Sequence, residues 1–131
     1  MNQRVLIEKN YLRIPIRKDA VEKNVWLYQE LTAVLQFQAG LFVDYGSGAP
    51  DFYAELPVER WKGSVLTFVH EEDRPVPFLQ SDELLPNTEP FQPWIHFAPK
   101  SGWMNDVCGA CWYQGSYHLY FQHNPFGVQW N

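Results

Sequence analysis

Cys111-Trp112-Tyr113-Gln114-Gly115-Ser116-Tyr117-His118-Leu119 reads as a β-hairpin. Two aromatic-rich runs flank Gln114-Gly115, and Gly115 occupies the second central position of a two-residue turn, where a positive φ is wanted. Working outward, Gly102-Trp103-Met104-Asn105-Asp106 precedes the hairpin and Tyr117 to Pro125 completes its second strand. The first stretch offers a carboxylate in a turn, beside a large aromatic and an amide. The second leads back to the same end and closes on Gln122 and Asn124. Trp103, Asn105, Asp106, Gln122, Asn124 and Trp130 are thus all expected near one end of one sheet.

These are the residue types that sugar cleavage uses. Retaining glycoside hydrolysis needs a carboxylate nucleophile and a second carboxyl group as acid. Asp106 can serve as the nucleophile, with Asn105 as a polar neighbour that helps keep it ionised. The amide of Gln122 can donate to and accept from sugar hydroxyls. The rings of Trp103 and Trp130 can stack on a sugar face. Each also has a plainer reading: a turn-capping Asp, core tryptophans, an exposed strand end for Gln122. His118 is expected to be a hydrogen-bonded structural residue on the face of Tyr120 and Gln122.

The rest of the chain is β-rich. Tyr11 to Ile16, Asn24 to Gln29, Asp51 to Leu56 and Ser64 to Val69 read as strands, with Pro15 suggesting an edge strand. Leu31 to Val43 fits a helix or a strand, and Gly40 with the turn Tyr45 to Pro50 favours strand. Short strands at regular spacing predict a small β-sandwich-like module over 1–70. Residues 71–93, with Pro75, Pro77, Pro86 and Pro90 among charges, read as an extended linker packed along the surface. A second unit, 94–131, begins at Trp94. One hairpin buries little and leaves both edges unpaired, so this unit is expected to need more sheet than it contains.

Composition narrows the function. The 131 residues are 46% hydrophobic, 17% aromatic and 19% charged, with a net charge of −5, a globular balance. Arg17-Lys18 is the longest basic cluster, which argues against a nucleic-acid partner. No apolar run is long enough to span a bilayer, so no membrane partner is expected. Only Val5-Leu6-Ile7 stand together before an acid near Met1, too few for a secretory signal, and the location of the protein stays open. Cys108 and Cys111 form a C-x-x-C without further ligands at zinc-like spacing, so they read as two small buried residues rather than a metal or redox site.

The stretch from Trp94 to Trp130 resembles the start of the catalytic domain of glycoside hydrolase family 32, the invertases, levanases, inulinases and fructanases. His96-Phe97-Ala98-Pro99, Gly102 to Asp106, Tyr113 to Gln122, Asn124-Pro125 and Trp130 follow that family's motifs in order. Residues 11–70 more loosely resemble the small β-rich module that precedes the propeller in some bacterial levanases, at Leu12 to Ile16 and Gly63 to Leu66. The resemblance implies an all-β chain: the N-terminal module, then the first hairpin of a five-bladed β-propeller, truncated. It implies Asp106 as nucleophile on the anomeric carbon of a β-fructofuranosyl unit, with Trp103, Asn105, Gln122 and Trp130 binding that unit. The substrate would be a fructose-containing oligo- or polysaccharide of sucrose, levan or inulin type, and no metal or organic cofactor would be needed. Two departures stand out. Val107-Cys108 replaces the family's Pro-Asn, and the family's Arg-Asp-Pro and Glu-Cys motifs, the latter holding the acid/base, do not occur in these 131 residues. The chain is therefore expected to be inactive by itself. The alternatives are a non-catalytic carbohydrate-binding or interaction module and a decayed, truncated gene product.

Overall fold

A computed structural model of the chain describes residues 1–43, 46, 48–86 and 97–130. Apart from one 3₁₀ turn at Glu59–Trp61, the regular elements among them are all β-strands. They are β1 (Asn2–Leu6), β2 (Tyr11–Ile16), β3 (Lys23–Gln29), β4 (Thr32–Ala39), β5 (Phe52–Pro57), β6 (Val65–Val69), β7 (Leu79–Ser81), β8 (Trp103–Tyr113) and β9 (Ser116–Asn124). Antiparallel pairing arranges them as open sheets in the orders β1-β6-β3-β4, β5-β2-β7 and β8-β9. No helix among the described residues is long and apolar enough to cross a membrane.

Alternation along the strands decides what is buried. In the four-stranded sheet, Val25 and Leu27 of β3 and Leu66 and Phe68 of β6 are buried, while Trp26 and Thr67 between them are not. Leu12, Ile14 and Ile16 of β2 and Ala54 of β5 come from the three-stranded sheet and join the same core. Each such large side chain contributes about 1.5–3 kcal/mol by leaving water. Trp61 belongs to this core and donates its indole N–H to Gln29 Oε1 at 3.0 Å.

Two expectations need amendment, and one open choice is decided. Pro15 does not mark an edge strand, because β2 lies between β5 and β7. The pairing with β7 covers only Tyr11 to Arg13, so it ends before Pro15, whose carbonyl instead accepts from the Phe42 N–H at 2.9 Å. A proline removes only its own ladder donor, and here no strand needs that donor. The ambiguous stretch after Leu31 is indeed a strand, β4. Its pairing slips between Leu27 and Tyr28, which leaves Val34 as an extra residue, and both Val34 and Leu35 pack on the core. That bulge is what blurred the period.

The proline-containing stretch after residue 70 is more built-in than an extended linker. Val76 is buried in the core, and its backbone exchanges two hydrogen bonds with the Gln3 amide, at 2.8 and 2.9 Å. Strand β7 follows, and Leu85 N–H then donates to Glu55 Oε1 at 2.7 Å. Residues 87–93 of this stretch, and Trp94 and His96 of the second unit, lie outside the described residues, as do Asp44, Tyr45 and Ser47 around the expected 45–50 turn.

The hairpin forms as read. Gln114 and Gly115 have φ of 49° and 82°, the two positive values of a type I′ turn. After β9, the chain turns back and Phe126 enters the core of the first unit, its ring stacked on Phe37 at 3.9 Å between centroids.

Candidate functional site

Asp106 does not sit in a turn; it lies within β8. Met104 pairs with His123 and Val107 with Phe121, so Asn105 and Asp106 together oppose Gln122, a one-residue bulge. A second extra residue, Cys108, follows before Gly109 pairs with Tyr120. Bulges bend a strand and re-aim side chains. Here the Asn105 side chain fills the broken ladder. Its Oδ1 accepts from the Gln122 backbone N–H at 3.0 Å, and its Nδ2 donates to Gln122 Oε1 at 2.8 Å. The amide pair is therefore locked, and Asp106 next to it is exposed.

The site's other wall rests on close backbone packing. Gly102 has φ +78°, and a Cβ there would stand 2.0 Å from the carbonyl oxygen of Asn124. Only glycine allows the chain leading into Trp103 to pass so near the Asn124-Pro125 peptide. Asn124 is buried and satisfied locally. Its Oδ1 accepts from Phe126 N–H at 3.1 Å, and its Nδ2 donates to the Gln129 carbonyl at 2.9 Å. Trp130 is thereby brought back beside β9. Trp103, Gln122, His123, Asn124 and Trp130 line a concavity of about 300 Å³.

Of the expected site residues, the structure brings Trp103, Gln122 and Trp130 to one concavity and bonds Asn105 to Gln122. Asp106 lies on the adjoining bulge and is not part of that lining. His123, which also lines the concavity, was not singled out from the sequence. It follows Gln122 directly, and alternation alone would turn it to the other face. His123 Nε2 hydrogen-bonds the Ser101 carbonyl at 2.8 Å, and His118 Nε2 that of Tyr113 at 3.2 Å, the structural part expected of His118. A larger groove of about 600 Å³, lined by Phe52, Tyr53, Phe97, Phe121 and others, holds none of the five candidates.

The cysteines depart from expectation, for both are exposed free thiols. Little covers their strand pair, as the exposure of Val107, Trp112, Tyr117 and Tyr120 also shows. Cys108 Sγ lies 3.6 Å from the Asp106 carbonyl oxygen, a weak thiol donor contact beside the candidate nucleophile. Among the described residues, no group of three or more His, Cys, Asp or Glu side chains could hold a metal ion.

Residues 96–131 match the model of the glycosyl hydrolases family 32 N-terminal domain. The levanase of Bacillus subtilis is 48% identical over 42 residues, which are 32% of this chain and 6% of the levanase. The extracellular exo-inulinase of Aspergillus niger is 45% identical over 42 residues, 32% of this chain and 8% of that enzyme. The sucrose-6-phosphate hydrolase of Escherichia coli is 45% identical over 40 residues, 30% of this chain and 8% of that protein. The match thus spans less than a tenth of the length of each of these relatives. No solved structure matches. The match covers the hairpin with its bulge, the locked amide pair and Trp130, so this part of the chain is similar to the N-terminal domain of the glycosyl hydrolases of family 32.

Proposed function

We propose that the protein carrying this segment hydrolyses β-fructofuranosyl linkages of sucrose, levan or inulin type with retention at the anomeric carbon. The observation that carries the reading is Asp106 on a bulge beside the bonded Asn105–Gln122 pair, within the family match. The names of the similar proteins, a levanase, an exo-inulinase and a sucrose-6-phosphate hydrolase, point to the same class of substrate.

In this reading the hairpin belongs to a five-bladed propeller, 94–131 are the start of the catalytic domain, and the module of 1–70 extends through Val76 and β7 before the connection begins. Asp106 attacks the anomeric carbon, the C–O bond to the leaving group breaks, and a fructosyl-enzyme ester forms. A second carboxylic acid gives its proton to the departing oxygen, then acts as base toward the water that cleaves the ester. By the family resemblance that acid belongs to a Glu-Cys motif, which residues 1–131 do not contain, so these residues alone do not turn over substrate. Gln122 and Asn105 hold fructosyl hydroxyls, and Trp103 and Trp130 take the apolar side of the ring. The chemistry calls for no metal or organic cofactor.

The test is Asp106→Asn in the whole protein, assayed on sucrose, levan and inulin. Turnover should fall by a factor on the order of 10⁴ or more, as when a nucleophile is removed, while sugar binding persists. Wild-type rates in the variant would remove Asp106 from the role. One observation favours a second reading, a non-catalytic sugar-binding module. Cys108, in the bulge after Asp106, stands with Val107 where the family has Pro-Asn. Binding without turnover by the unmodified whole protein would select it.

A further inference from the structure

We infer that Phe37, a residue of the first unit, is a positioning residue for the candidate sugar site, acting through Phe126 and Asn124 on Trp130 and Trp103. The inference rests on the proposed sugar-binding role of that end of the hairpin, and extends it to a residue that does not line the concavity.

Each link in the chain of contacts is short. The Phe37 ring lies on the Phe126 ring at 3.9 Å with 19° between planes, and Phe126 is buried in the core that the first unit builds. The backbone N–H of Phe126 donates to Asn124 Oδ1, so the position of the ring fixes the rotamer of a buried amide. The other end of that amide donates to the Gln129 carbonyl, one residue before Trp130. The Asn124 carbonyl lies against Gly102, one residue before Trp103. Gly127 closes the arrangement. A Cβ there would meet Asn124 Nδ2 at 2.8 Å and Glu22 Oε1 at 2.5 Å, so the turn is seated against the first unit along its backbone as well.

Packed interiors transmit small displacements because they leave no free volume to absorb them. Trp130 itself is 68% exposed, and none of the bonds above is made by its own side chain. Its place beside Gln122 therefore depends on the 124–129 turn, and that turn depends on what holds Phe126. The first unit is then the base on which one wall of the sugar site stands.

The experiment labels the full chain with 5-fluorotryptophan and records fluorine NMR spectra of wild type, Phe37→Ala, Phe37→Leu and Phe37→Tyr, assigning Trp103 and Trp130 by single Trp→Phe changes. Trp61, in the core and away from the hairpin, reports whether the first unit remains folded. The expected result is a shifted or broadened Trp130 signal in Phe37→Ala with Trp61 native, a smaller change in Phe37→Leu, and recovery in Phe37→Tyr, which keeps the ring. Binding of a short fructosyl oligosaccharide should weaken in Phe37→Ala by roughly ten-fold. Unmoved Trp130 and Trp103 signals with Trp61 native would overturn the inference. Should Phe37→Ala also disturb Trp61, Phe37→Leu decides by the same criterion. Failure of the wild-type chain to bind the oligosaccharide would count against the proposed function, and the tryptophan signals would still decide the positioning claim.

Discussion

Gly102→Ala and Gly115→Ala form a matched pair that isolates the packing at the candidate site. Both glycines sit in the left-handed region, at φ +78° and +82°. An added Cβ costs each about 1–2 kcal/mol for that conformation. At Gly115 nothing lies within 4 Å, so this is the whole effect. At Gly102 the new atom stands 2.0 Å from Asn124 O, 2.8 Å from Pro125 Cα and 2.9 Å from Asn124 C. All three are backbone atoms, which cannot rotate away as a side chain would. Relieving the overlap must move the Asn124-Pro125 peptide by about 1 Å, and overpacking of that kind adds a further ~1–3 kcal/mol. The assay is amide hydrogen exchange at Cys111 and His118, a pair two positions from the turn flank whose N–H groups point at one another's strand and report local opening of the hairpin. At ten-fold per 1.4 kcal/mol, Gly115→Ala should speed exchange by roughly 5- to 30-fold, and Gly102→Ala by about 30-fold to several thousand-fold. Equal acceleration in the two variants would refute the argument, since only the overlap with Asn124 distinguishes them.

Two further predictions concern other parts of the chain. His70 is buried with neither ring nitrogen bonded, and burial holds its pKa below the ordinary 6.5. The Met1 ammonium and Lys23 act in the same direction, and Glu72 opposes them. The folded chain therefore binds a proton at lower pH than the unfolded chain does. Stability is full above about pH 6.5, the unfolded value, and declines as pH falls from there toward the folded pKa. Urea midpoints at pH 7.5 and 5.5 should separate in wild type and converge in His70→Leu; an equal separation in both would contradict the assignment. The exposed thiols make the second prediction: Cys108 and Cys111 should both react with a thiol reagent in the native chain at rates near those in urea. Protection of either in the native state would show that it is covered.

Much of this chain was legible in its sequence because much of it obeys local rules. Strict alternation in Val25-Trp26-Leu27 and Leu66-Thr67-Phe68 placed one face in the core, and Gln114-Gly115 specified a two-residue turn with a positive φ at Gly115 without help from the rest of the molecule. Motif spacing from Gly102 to Trp130 located the candidate site and its family. What local rules could not supply was register. The bulges at Val34, at Asn105-Asp106 and at Cys108 exist only in relation to a partner strand, and each hid the period that would have announced it. The Asp106 carboxylate was visible in the sequence, but its seat on a bulge braced by Asn105 and Gln122 was not. Nor could composition show that Val76 and β7 belong to the first unit, or that Phe126 leaves the hairpin to stack on Phe37. Phe37 and Phe126 are 89 positions apart (126 minus 37). A contact at that separation leaves no periodic trace in either segment, because its free energy depends on where two separately formed sheets meet.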